Sequence, residues 1–375
     1  MRNRIYFFAN FGDWNKVPYG GGEVGNRRTL ELFRKAKLDV ILIPKYLRVP
    51  DHSLKNIFLL IYRIIINILF FIKTLMFGRR KKSIVHVAGF YGPMIYLEYL
   101  LISISKLLKY KVVYEMRGGG ADCYYYEGRS IYRKIFNKTI RKADVIFTQG
   151  IENTPLIRKI NKSIHIFYYP NYVMGDFYPS EYPSKPKDRI NFIYFGRISP
   201  TKNVDILLDT FFILCNTYDN IYLDIVGNST NELYLNKIKE KVSSSNFGNL
   251  VRIWPACNHE ELKKHLSDKH FYLFPSKEPH EGHSNALTEA MAWGVIPIAT
   301  SQGFNKSVIG NEDLIVNNLS VDNFVKCISN VINKDLVKEL SEAMYNRVIE
   351  KYTDSIVYEQ LASEYKSLFK RFFSN

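Results

Sequence analysis

Several features that would announce a chemistry are missing from these 375 residues. The four cysteines (Cys123, Cys215, Cys257 and Cys327) are scattered and form no C-x-x-C pair. That argues against a disulfide scaffold and reads as reduced thiols in a cytosolic protein. There is no D-x-D, no H-E-x-x-H and no Cys/His cluster, so neither a metal nor another cofactor is expected. The first strand is not followed closely by a dinucleotide-binding turn, because the glycines of DWNKVPYGGGEVGN come too late for it. The N-terminal MRNRIYFFANFGDWN is basic and then apolar, but the apolar run breaks at Gly12-Asp13, so a first strand is expected there and not a signal peptide. No short repeat or low-complexity tract is visible.

What is present is a globular composition, 46% apolar, on a chain long enough for two domains with a core each. The formal net charge of +16 is unevenly spread. Residues 1–180 carry 30 Lys and Arg against 12 Asp and Glu, and the remainder is slightly acidic. A basic half suggests a polyanionic partner: nucleic acid, an anionic membrane or a phosphorylated substrate. A nucleic-acid binder would need a helix-turn-helix or an aromatic-basic sheet; neither is found, so no nucleic-acid partner is expected.

Short β-rich apolar runs recur along the first half: RIYFFANFG, DVILIPKY, SIVHVAGF, KVVYEMRG, DVIFTQG and SIHIFYYP. Helical patterns separate most of them. A stretch with Pro179, Pro183 and Pro186 and little periodicity follows, and it reads as a linker over 171–188. A second series then begins: NFIYFG, IYLDIVG, LVRIW, FYLFPS, VIPIATS and DLIVNN, with a mostly helical end from Val321 to Phe373. Unbroken apolar strands alternating with helices predict an α/β fold with two doubly wound parallel sheets. The expected division is an N-terminal Rossmann-like domain over 1–170 and a C-terminal one over 189–350, facing a central cleft, with a C-terminal helix over 351–375 packing back on the first.

Two motifs in the second half carry chemistry. In EGHSNALTEAMAWG, Gly294 ends a helix whose start falls near Ser284 or Asn285, both good N-cap types. The free N–H groups at a helix start attract an anion. A phosphate there would put Glu281 near a sugar on one side. Glu289, roughly 6–8 Å along the axis, would face a ribose on the other. In FGRISPTKN, Arg197 and Lys202 sit at a strand-to-helix turn and suit a diphosphate, whose growing charge they would stabilise on bond cleavage. Taken singly, each motif is also compatible with solvated surface charges.

Together, EGHSNALTEAMAWGVIPIATS and FGRISPTKN resemble the E-x7-E signature and the G-R-x-x-x-x-K turn of the retaining GT-B glycosyltransferases of family 4, the group 1 glycosyltransferases. IVGN, WPACNHEEL and YGGGEVGN are supporting matches, and the likeness is dense over about 190–310. The resemblance implies a metal-independent, retaining sugar transfer from a UDP- or GDP-sugar. Glu281 would contact the donor sugar and Glu289 the ribose. Arg197 and Lys202 would hold the diphosphate. Gly21 and Gly22 would close on it from the other domain. His283, Ser284, Asn285 and Phe304 would line the sugar pocket, and Trp254 to Cys257 would run beside the base. The family commonly carries a His where KVVYEMRGGG places Arg117, so Arg117 takes that catalytic position with either the donor or an acceptor phosphate as its target. A nucleotide-sugar epimerase of the same two-lobed fold is the alternative.

In the first half, IFLLIYRIIINILFFI (57–72) is almost wholly apolar, broken by Arg63 and Asn67, which lie four apart and share a narrow stripe. Arg79, Arg80, Lys81 and Lys82 follow. A core helix, a membrane-interface helix and a membrane span all fit, though the run is short for a span. The basic flank favours the interface, because anionic lipids attract each nearby Lys or Arg by about 1 kcal/mol. The expectation is a cytoplasmic protein held at the inner face of the membrane. It would act on a growing glycan or a lipid-linked pyrophosphate glycan in bacterial O-antigen, capsule or exopolysaccharide synthesis. Tyr124 to Tyr126 would either stack on an acceptor sugar or pack.

Overall fold

The computed structural model describes residues 2–15, 21–45 and 53–374. Its contacts define two compact units, residues 1–170 with 358–375, and residues 171–357.

The first unit holds β1 (Arg4–Ala9), α1 (Gly21–Lys35), β2 (Asp39–Pro44), α2 (Leu54–Met76), β3 (Ser83–Gly89), α3 (Ile95–Leu107), β4 (Lys111–Met116), α4 (Ala121–Glu127), α5 (Ser130–Lys142), β5 (Val145–Thr148), α6 (Thr154–Ile160) and β6 (His165–Tyr168). All pairings are parallel, in the order β2-β1-β3-β4-β5-β6. β3 is buried at all seven positions and β1 at five of six, which is why these runs lack polar alternation. Tyr6, Phe8, Val85, Val87, Val112 and Tyr114 on one face of the sheet pack against α3, α5 and the end of α2.

The second unit holds β7 (Ile190–Phe195), α7 (Val204–Leu214), β8 (Ile221–Val226), α8 (Glu232–Ser243), β9 (Val251–Trp254), α9 (His259–Leu266), β10 (Phe271–Phe274), α10 (Asn285–Met291), β11 (Ile296–Thr300), α11 (Asn305–Ile309), β12 (Ile315–Val316), α12 (Val321–Asn333) and α13 (Val337–Lys351). Its sheet, also parallel, runs β9-β8-β7-β10-β11-β12. That is the dinucleotide-fold order, and its strand direction of travel reverses between β7 and β10, the place where such sheets bind ligands. The last helix, α14 (Asp354–Phe373), contributes its residues from Tyr358 onward to the first unit. Twelve strands thus stand where the sequence puts them, and the chain is α/β with two doubly wound sheets.

α2 is not a core helix. Of its 23 residues only Asn67, Phe71 and Leu75 are buried, a single stripe at four-residue spacing. Ile57, Phe58, Ile61, Tyr62, Ile65, Leu69 and Phe70 are exposed, Phe58 by 71%. The polar Asn67 faces inward, where its amide donates to the Arg63 carbonyl at 2.7 Å. The helix therefore turns its polar notch to the protein and its apolar side out.

Candidate active site

In the second unit the turns after β7 and β10 are laced together at the point where the strand order reverses. β7 passes into Gly196 at φ 137, backbone that favours glycine. Gly227, after β8, comes so close that a Cβ on it would meet the Gly196 carbonyl oxygen at 1.9 Å. Asn203 adopts left-handed geometry before α7, and its amide donates to the Pro275 carbonyl at 2.8 Å. The Lys277 amide donates to the Thr201 carbonyl at 2.7 Å. These bonds fix Arg197 and Lys202 against the segment that carries Glu281.

Lys202 Nζ donates to Glu281 Oε2 and lies 3.3 Å from Ser276 Oγ. The Ser276 hydroxyl donates to the same Oε2 at 2.6 Å. Ser276 is held in turn, since Thr300 Oγ1 donates to its carbonyl at 2.6 Å. The Lys202 ammonium also stands 4.8 Å from the centre of the Phe274 ring. Arg197, 55% exposed, pairs with Glu278 at 3.2 Å, and Thr201 Oγ1 donates to Glu278 Oε2 at 2.9 Å. Each cation of the FGRISPTKN turn therefore faces a carboxylate of the KEPHEG turn. The sequence reading missed Ser276, Thr201 and Glu278. The signal for Glu278 was its place three residues ahead of Glu281.

α10 starts at Asn285 after an extended Ser284, whose hydroxyl makes no capping bond. Asn285 Oδ1 is buried without a partner. Glu289, inside α10, is buried, and its Oε1 lies 3.6 Å from His259 Nε2. The His259 ring packs on Phe177 at 5.1 Å between centres. His283 points inward: it is 3% exposed, lies edge-on to Tyr352 at 5.0 Å, and leaves both ring nitrogens unpartnered. Burial pushes its pKa down to about 3. Phe304 is likewise buried in the core. Gly303, at φ 59, backs onto Glu281, whose carbonyl oxygen a Cβ would meet at 1.9 Å. Trp254 is partly exposed and donates through Nε1 to Asp224 at 3.0 Å.

The first unit holds the other candidates. Gly21 and Gly22 form the first turn of α1 and not a loop; residues 16–20, with the start of YGGGEVGN, lie outside the described residues. Glu23 in that turn suits the helix dipole, and the Phe90 ring stands 2.9 Å from where a Cβ on Gly22 would be. Arg117, directly after β4, is buried and not displayed. Its Nε donates to Glu115 Oε1 at 2.6 Å, and its Nη2 to Thr29 Oγ1 at 3.1 Å. Glu115 Oε2 lies 2.8 Å from His86 Nε2, and His86 Nδ1 lies 2.5 Å from Tyr365 Oη. Burial would raise the Glu115 carboxyl; Arg117 and His86 more than reverse this and hold it at about 2. Glu115 and Arg117 lie two apart, on one face of the strand. That polar pair in an apolar run was the signal available. Tyr124 stacks on Tyr132 at 5.8 Å between centres, while Tyr126 is exposed.

Residues 180–351 match the family model described as glycosyl transferases group 1. A phosphatidylinositol N-acetylglucosaminyltransferase component of Arabidopsis thaliana is 23% identical over 203 residues, 54% of this chain and 44% of that protein. The chain thus spans less than half the length of this curated relative. The sucrose-phosphate synthase of Thermosynechococcus elongatus superposes over 99% of this chain and 100% of its own, with a TM-score of 0.74 at 16% identity. Anabaena Alr3699/HepE in complex with UDP superposes over 97% and 100%, with a TM-score of 0.67 at 12% identity. Two six-stranded parallel sheets, charge-laced turns at the strand reversal and these likenesses converge: residues 180–351 are similar to the group 1 glycosyl transferases, and the chain has the GT-B fold.

Proposed function

We propose that this protein moves a sugar from a nucleoside diphosphate sugar onto a glycan acceptor at an anionic membrane surface, with retention of configuration and without a metal. The observation that carries the donor half is the cluster of Arg197, Lys202, Ser276 and Glu281 at the strand reversal of the second unit. The diphosphate takes Arg197 and Lys202, and their charge stabilises it as the leaving group. Glu289, with His259 beside it, receives the ribose. The UDP in Anabaena Alr3699/HepE supports a uridine donor.

Glu281 acts on the sugar by electrostatics. Its Oε2 already accepts from Lys202 and Ser276, and a carboxylate so held is a weak nucleophile. That favours front-face transfer over a double displacement through a glycosyl-enzyme.

The acceptor half rests on α2, whose exposed apolar side and following Arg80 and Lys81, both exposed, suit a helix lying in an anionic interface. The phosphatidylinositol named in the Arabidopsis relative fits an acceptor carried by lipid. The protein then works on the cytoplasmic face of a bacterial membrane, building surface polysaccharide on a lipid-linked glycan.

A thermal-shift screen against UDP, GDP and ADP, each with and without EDTA, tests the donor reading. Stabilisation by one of them, unchanged by EDTA, is expected. No shift with any refutes it. Co-sedimentation with phosphatidylglycerol vesicles tests the surface: binding to them but not to phosphatidylcholine vesicles is expected, and its loss in an Ile61→Asp/Ile65→Asp variant of unchanged Tm assigns it to α2.

A further inference from the structure

The second unit has a cavity of about 790 Å³ at the end of its sheet opposite the strand reversal, lined by Ile190, where β7 begins, and His270, just before β10. Lys185 lines it too, partly exposed, and no step of the sugar transfer uses this amine. Lys185 Nζ donates to the Leu266 carbonyl at 3.2 Å and to the Ser267 carbonyl at 3.1 Å. Both carbonyls stand at the C-terminal end of α9, which leaves such groups without a helical partner. Among the described residues no third acceptor holds the amine. An uncharged amine has two N–H groups and one lone pair, so two carbonyls use both N–H groups and leave the lone pair unengaged.

The backbone beside Lys185 is pinned. His270 Nδ1 accepts the Asn191 amide at 3.0 Å, so the ring carries its proton on Nε2, which donates to the Pro186 carbonyl at 2.9 Å. Burial pulls the Lys185 amine down to about 7; Asp268 opposes this and Lys269 adds to it, both by less. Near neutral pH much of the amine is therefore uncharged, whereas an exposed lysine is almost wholly ammonium. The cavity wall that carries Lys185 is basic, with Lys187 and Arg189, both exposed. Arg189 reaches Asp268 only at 3.9 Å. The facing wall carries Asp335, Glu339 and Glu342 with Lys338, and Lys338 lies 3.9 Å from Glu342. An anionic group entering beside Lys185 thus meets Lys187 and Arg189, and a contact as long as that of Arg189 is readily exchanged.

We propose that Lys185 is a modification site, an amine acylated by small acyl phosphates whose phosphate group is received by Lys187 and Arg189. The lone pair attacks the acyl carbon. The bond from that carbon to the bridging oxygen breaks, phosphate leaves with the electron pair, and the nitrogen gives its extra proton to water. The amide formed keeps a single N–H, so one of the two carbonyls loses its donor, and the end of α9 loses a positive charge. The site is separate from the sugar-transfer cluster and does not depend on it.

The test incubates the full chain with acetyl phosphate near pH 7.5 and reads acetyl occupancy at every lysine by peptide mass spectrometry. Lys185 is expected to be acetylated about ten-fold faster than the median lysine of the chain. Its rate should level off by about pH 8, while exposed lysines keep rising toward about pH 10. In urea the lead should vanish, because the cavity is gone. A Lys185 rate at or below the median in the folded chain overturns the proposal. A lead that survives urea also overturns it, since local sequence and not the cavity then sets the rate. Arg189→Ala, and separately Lys187→Ala in case the first does not fold, should slow labelling of Lys185 by acetyl phosphate about three-fold. Labelling by the uncharged p-nitrophenyl acetate should stay at the wild-type rate. Wild-type labelling by acetyl phosphate in both folded variants overturns the acyl phosphate as the reagent class.

Discussion

The two units place charge at their strand ends in different ways. In the second, Arg197 lies on the surface and pairs with Glu278 of the neighbouring turn, while Lys202, largely covered, meets the buried Glu281. In the first, Arg117 is sealed between β4 and α1, and a line of buried bonds runs from it through Glu115 and His86 to Tyr365. Surface pairs exchange partners at little cost, since water stands in for a lost one. Buried pairs do not, because breaking one strands a charge in a poor solvent. The second unit is thus suited to admitting a charged ligand, the first to holding one donor rigidly in place.

That contrast fails or sharpens under substitution. The largest effect is expected at Glu115. Glu115→Gln strips the buried Arg117 of its counter-charge and is expected to cost about 3–5 kcal/mol of stability, read by urea or thermal unfolding. A loss below about 1 kcal/mol would mean that the first unit tolerates an exposed-type pair and that the contrast is wrong. Glu281→Ala comes next. Transfer should fall by about a hundred-fold or more, with UDP affinity nearly retained, while Arg197→Ala weakens both. Near-wild-type transfer in both variants removes the second-unit cluster from the chemistry.

The smallest effect concerns pH. His283 is held at about 3 in the folded chain, below its ordinary value near 6.5. Between those values the unfolded chain binds the extra proton, so the stability present above pH 6.5 declines as pH falls toward 3, by about 2 kcal/mol at pH 5. His283→Phe keeps a ring beside Tyr352 and should flatten that decline. An unchanged pH profile of unfolding would show that His283 is not buried neutral.

Much of the fold was legible because its signals are local. Runs such as SIVHVAG and VIPIAT are apolar without alternation, and only a strand covered on both faces reads so. Gly294 closes α10 at φ 66, where a side chain would strike the Tyr182 ring and Ser341. The helix end was therefore visible as a glycine. The residues brought together at the strand reversal were legible through their spacing within two turns. The orientation of α2 was not. Arg63 and Asn67 mark a stripe in sequence, but a stripe does not say which side faces the protein, and here Asn67 faces in beside Phe71 and Leu75. The inward turn of His283 was equally hidden, because its short loop looks the same whichever way the ring points.

The sequence by itself determined the order of twelve strands and the two turns that bring Arg197, Lys202, Glu281 and Glu289 into one unit. Propensity, burial period and turn chemistry act over a few residues, so the string carries them whole. Only the tertiary structure decided which carboxylate faces each cation, that Arg117 is buried, and that α2 leaves its apolar side bare. Those outcomes depend on partners far along the chain, as with His86 and Tyr365, 279 residues apart, and packing alone brings such partners together.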